Sequence, residues 1–131
     1  MRRLIALLAL VATPVLTAVQ VLAADPPATP AVKGLWLLTD YPSQAVRPGD
    51  VANIRFKLQN AGLPPEPLAL TVSGAPDGWK ADILGGGQPV AAAMPGINES
   101  TSLQLRVDVP KDAKPGSHTV TLRAKGASQS I

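Results

Sequence analysis

The chain has 131 residues, with 12 Lys plus Arg against 9 Asp plus Glu, one His and no Cys. Its 14 prolines and 11 glycines argue against long helices and for many turns. The missing cysteine excludes a disulfide framework, and the scattered placement of Lys and Arg excludes a nucleic-acid-binding face.

Met1-Arg2-Arg3 is a short basic start, and Leu4–Ala24 is uncharged and mostly Leu, Ala and Val. Small or aliphatic residues at Val21-Leu22-Ala23 fit a cleavage site, so residues 1–24 are expected to be a secretory signal peptide. Without Arg2 and Arg3 the count falls to 10 basic against 9 acidic residues, a net charge of +1. Residues 25–33 carry three prolines in Asp25–Val32 and are expected to form an extended linker, at about 3 Å per residue. Residues 34–131 are then one domain, large enough to stand on apolar burial at roughly 1.5–3 kcal/mol per large side chain.

Gly34–Thr39 is the first predicted strand, apolar on both faces, as a covered strand or a sheet-edge strand would be. Tyr41-Pro42-Ser43 breaks it, and Gln44–Val46 is expected to resume pairing. Pro48-Gly49-Asp50 is a turn that delivers the clearest early strand. There Ala52, Ile54, Phe56 and Leu58 alternate with Asn53, Arg55, Lys57 and Gln59, which gives one buried and one wet face. The proline-rich 60–67 segment follows, then Leu68, Leu70 and Val72 at period two. Gly74–Gly78 is a turn, and Trp79, Ala81 and Ile83 alternate after it. Gly85–Pro89 is read as a turn rather than a phosphate loop, because no Gly-Lys-Ser/Thr and no helix pattern follow. Val90–Met94 is a weak strand. Thr101–Val109 is strong, with Leu103, Leu105, Val107 and Val109 facing in. The last strand is predicted over Ser117–Lys125, with His118, Val120, Leu122 and Ala124 on the inner parity. Seven to eight short strands joined by Pro/Gly turns make an all-β, antiparallel β-sandwich. Ile54, Phe56, Trp79, Leu105 and Leu122 are expected to meet in one interior.

Taken in order, Thr39-Asp40-Tyr41-Pro42-Ser43, Arg47-Pro48-Gly49-Asp50, Pro76-Asp77-Gly78-Trp79, Leu103–Pro110 and Pro115-Gly116-Ser117-His118 resemble the alpha-galactosidase-associated (NPCBM-associated) immunoglobulin-like domain of bacterial exported proteins. The resemblance covers about residues 34–125. It implies an immunoglobulin-like sandwich and a non-catalytic accessory module in the periplasm or cell envelope. It also implies an aromatic residue, usually Tyr, where His118 stands. His118 is therefore expected to tie a corner through a ring nitrogen in place of a hydroxyl. The resemblance further implies a closing strand after Lys125, of which Gly126–Ile131 is only the start. The expected reading is a fragment of a longer protein, with an exposed edge along the last strand. Ser117, Thr119, Thr121 and Arg123 are the candidate contacts for a protein partner or for the missing C-terminal segment. In a periplasmic setting the Asn98-Glu99-Ser100 sequon would be inert.

Catalytic chemistry finds no support. Ser117 and His118 are adjacent in a strand and point to opposite faces, and no motif places two carboxylates together. One histidine and no cysteine do not make a transition-metal site, and no loop has Ca²⁺-ligand spacing. No cofactor is expected, and any membrane contact is expected only through the N-terminal segment, as a signal peptide or, alternatively, as an uncleaved anchor. The expected function is a structural, spacer or protein-interaction module. The alternative is a carbohydrate-binding accessory domain, for which Trp36 and Tyr41 are the candidate contacts. Trp36 is instead expected to pack beneath the Tyr41-Pro42 bend.

Overall fold

The computed structural model describes Asp25 and residues 31–131. The signal peptide expected at 1–24, and most of the linker expected at 25–33, lie outside the described residues. The described residues contain eight strands and no helix: β1 Gly34–Leu38, β2 Val51–Ala61, β3 Leu68–Ser73, β4 Lys80–Gly85, β5 Gln88–Pro89, β6 Ala92–Ala93, β7 Ser100–Asp108 and β8 Thr121–Lys125. They form two antiparallel sheets, ordered β1-β2-β7-β4-β5 and β6-β3-β8. This is the expected immunoglobulin-like β-sandwich.

Four ladders join the larger sheet, and three of them carry core pairs. Leu37 stands opposite Leu58, Phe56 opposite Leu103, and Ile83 opposite Leu105. The pleat sends the alternate residues to one side. Ala52, Phe56, Leu58, Leu103, Leu105, Val107 and Ile83 therefore meet Leu68, Leu70 and Ala124 of the smaller sheet in one buried cluster. Of the five residues expected to meet there, Phe56 and Leu105 are buried, and Ile54, Trp79 and Leu122 pack half-buried against them.

Turn chemistry places the strands. Pro48 and Gly49 occupy the two central positions of a turn closed by Asp50 N–H donating to Arg47 O at 3.1 Å, with φ 85° at Gly49. Positive φ at the third residue is type II geometry. Gly86 and Gly87 have φ 60° and 81°, the two left-handed positions that a type I′ hairpin requires. That tight turn extends pairing into β5, where a plain turn was expected. The weak strand expected over Val90–Met94 is only the two residues of β6, on the opposite sheet. Between them Val90 packs on the core while its N–H donates to Ile83 O at 2.9 Å.

Two further segments differ from expectation. Gln44–Val46 forms no strand. Instead, side chains bond the edge of β2 beyond the end of β1: Thr39 Oγ1 donates to Arg55 O at 2.8 Å and Gln44 Nε2 to Asn53 O at 3.0 Å. Pro42 and Pro48 bracket this segment, and proline cannot supply ladder N–H groups. The last strand begins at Thr121, not Ser117. Its partner β3 ends at Ser73, opposite Thr121, and Gly74 (φ 85°) turns the chain away. Ser117–Val120 then has no strand to pair with, and His118 is exposed rather than turned inward.

The one buried polar side chain of the described residues is Asn60, 2% exposed. Its Nδ2 donates to Leu63 O at 2.9 Å and to Pro95 O at 3.3 Å, and its Oδ1 accepts from Leu63 N–H at 3.0 Å. The amide thus closes the proline-rich loop after β2, where few backbone donors are available.

Candidate functional site

Two regions stand apart from the core: the outer face of the five-stranded sheet and the outer edge of β8. Residues of opposite parity to the core line the first. Across the ladders they run Trp36–Gln59–Ser100, then Leu38–Lys57–Ser102, then Arg55–Gln104–Leu84. The loop after β1 and the Gly86-Gly87 turn rise on either side, and between them lies a cleft of about 530 Å³. Its floor is Arg55, Lys57, Ser102 and Gln104, and its walls include Leu38, Thr39, Asp40 and Leu84. The Thr39 bond to Arg55 O fixes the first wall. Gln104 Nε2 donates to Asn53 Oδ1 at 2.7 Å, which sets the orientation of that amide and leaves its oxygen toward other donors.

The charges on this face are unevenly matched. Toward one end Lys80 pairs with Asp82 at 3.2 Å and Arg106 with Asp108 at 3.0 Å. Arg55 and Lys57 enter neither of these pairs, which are the ion pairs of the described residues. The cleft floor therefore carries two cations against the single rim carboxylate of Asp40.

Trp36 does not pack beneath the Tyr41-Pro42 bend. It is 44% exposed and Tyr41 is 71% exposed. Edge position explains this: Trp36 is on the outward parity of β1, which has a neighbour only on the β2 side. The indole lies back over Gly34, 3.8 Å from where a Cβ there would stand, and so away from the cleft. The ring pair of the described residues is Trp79 with His118, with centroids 4.8 Å apart. His118 Nε2 also lies 3.5 Å from Lys114 O, at the outer limit of a hydrogen bond.

At the second region the chain turns back on itself after β8. Gly126 N–H donates to Gln129 O at 2.7 Å, and Ala124 and Ile131 exchange both backbone bonds at 2.8 and 2.9 Å. Lys125 stands opposite Ser130. Glu66 holds this turn, accepting from Ser128 N–H at 3.1 Å and Ser128 Oγ at 3.0 Å. Because backbone groups alternate along a strand, Leu122 presents its N–H and C=O to the same side as Ala124. Thr121 and Arg123 turn theirs toward Ser73 and Thr71 of β3. Of the four candidate edge residues, Thr121 and Arg123 lie in β8, while Ser117 and Thr119 precede it in unpaired chain.

Residues 46–126, well over half of the chain, match the family described as the NPCBM-associated, NEW3 domain of alpha-galactosidase. The chain belongs to this family. No curated protein and no solved structure matches it. The family span runs from just before β2 through β8, so it holds the cleft floor and the β8 edge. It leaves out β1 with Trp36, Leu38 and the Thr39 wall. As a NEW3 domain the chain is of the accessory type associated with alpha-galactosidase, a glycoside hydrolase.

Arg55, Lys57, Ser102 and Gln104 were legible in the sequence only as outward positions. Their signal was parity. What brings them together is the β2–β7 register, which pairs residues about 45 apart in the chain, as in Lys57↔Ser102.

Proposed function

We propose that this NEW3 domain is a non-catalytic, exported accessory module that joins a larger envelope-associated assembly by accepting a further strand at the outer edge of β8. The observation that carries the reading is the pairing of Ser130–Ile131 against Lys125–Ala124. An edge that has already begun a ladder has its register defined, and the next groups in line are those of Leu122. A strand running on from Ile131, or one brought by a partner protein, would make the same main-chain bonds. Protein attachment through backbone pairing needs no pocket and no reactive side chain. It also suits a domain whose family name ties it to an enzyme rather than to a reaction.

The test is amide hydrogen exchange on the 131-residue chain and on a version carrying a strand of alternating Thr and Val appended to Ile131. In the unextended chain, the Leu122 amide exchanges quickly while those of Thr121 and Arg123, bonded to β3, exchange slowly. The appended strand slows Leu122 by about tenfold or more. Glu66→Ala, which frees Ser128, reduces that protection. A Leu122 amide already protected in the unextended chain, or unaffected by the appended strand, refutes the reading.

A further inference from the structure

A different face of the molecule supports a second site. We propose that the cleft on the outer face of the five-stranded sheet binds an acidic oligosaccharide, a chain of uronic-acid sugars, with Arg55 and Lys57 holding its carboxylates. Charge is the first ground. Lys80 and Arg106 on the same face are neutralised by Asp82 and Asp108, whereas Arg55 and Lys57 are not ion-paired among the described residues. They stand two residues apart on β2, about 7 Å along the strand, and reach into one cleft. The guanidinium offers a carboxylate a two-pronged bond and the ammonium a point charge. Asp40 at the rim is the one carboxylate in the lining and opposes only part of that attraction.

The remaining lining selects a sugar over a peptide. Ladder groups lie in the plane of the sheet, not on its face; β2 is paired with β7 along the floor, and beyond the end of β1 the Arg55 and Asn53 carbonyls already accept from Thr39 Oγ1 and Gln44 Nε2. The floor therefore offers little to an extended peptide's own N–H and C=O, whose desolvation would go uncompensated. Recognition there falls to side chains. The Ser102 hydroxyl and the oriented Gln104 amide suit ring hydroxyls, and Leu38 and Leu84 suit the C–H faces of pyranose rings. A volume of about 530 Å³ is within the range of small-ligand clefts. This proposal does not depend on strand capture at β8, which lies on the other sheet.

The test is an NMR titration of the full chain with a galacturonic-acid trisaccharide, with neutral galactotriose and hexaglutamate as comparisons. The uronate should shift the amides of Arg55–Lys57 and Ser102–Gln104. Affinity should fall by about tenfold or more in Arg55→Gln/Lys57→Gln and stay unchanged in Lys80→Gln, whose cation is already paired. Should the double variant not fold, the unmodified chain at about 0.05 and 0.5 M salt decides, because screening must weaken the complex. The proposal is overturned if no shifts appear, if they map elsewhere, if affinity is salt-independent, or if galactotriose or hexaglutamate binds as well as the uronate.

Discussion

Replacing Asn60 by Ala tests the account of how the sandwich closes its proline-rich end. The side chain makes three hydrogen bonds, to Leu63 O, Leu63 N–H and Pro95 O, at a site 2% exposed. Each typical bond contributes about 1 kcal/mol net, and a buried group left without a partner costs about 1–3 kcal/mol. The Pro95 bond is long at 3.3 Å, and the Leu63 groups are only partly buried, so the low end applies. The loss should be about 2–3 kcal/mol, which lowers Tm by roughly 10–20 °C for a domain near 100 residues. Urea unfolding followed by Trp fluorescence measures it, as a fall in midpoint with an unchanged m-value. Asn60→Ser retains an acceptor for the Leu63 N–H and should fall between wild type and Ala. If Asn60→Ala costs less than about 0.5 kcal/mol, or if Ser is no better than Ala, the amide is not the clasp described here and water satisfies these groups equally well.

Two other substitutions probe the turn and the core. Gly74→Ala should destabilise by about 1–3 kcal/mol, because φ is 85° and the new Cβ would stand 2.7 Å from Thr119 O; a neutral result in thermal unfolding would show that the β3 end is not tied to the approach to β8. Leu58→Ala, at a side chain with no exposure, should cost about 2–5 kcal/mol, read as a shift in urea midpoint. A loss near 1 kcal/mol would mean that the two sheets close around the void.

The strands were legible because the pleat has a period of two. Any run such as Ala52–Leu58 or Leu103–Val109 declares its buried side without knowledge of its neighbours. The turns were legible for an equally local reason, since Pro48-Gly49 and Asp77-Gly78 supply the φ values that reversal needs. The ends were less so. Gln44–Val46 and Ser117–Val120 have strand-like composition but no partner strand beside them, and Trp36 lies on an edge that composition does not reveal.

By itself, then, the order of residues determined the all-β architecture and most of the inward set, His118 excepted, because both rest on short-range periodicity or on turn-forming dipeptides, while the ordered motifs carried the resemblance to the family. Only the folded arrangement decided that β2 lies between β1 and β7, that Arg55 and Lys57 share a cleft with Ser102 and Gln104, and that Ser130–Ile131 runs back along β8. Those outcomes depend on which strands pack side by side, and the competition is settled by burial of the whole interior, a sum over residues far apart in the chain.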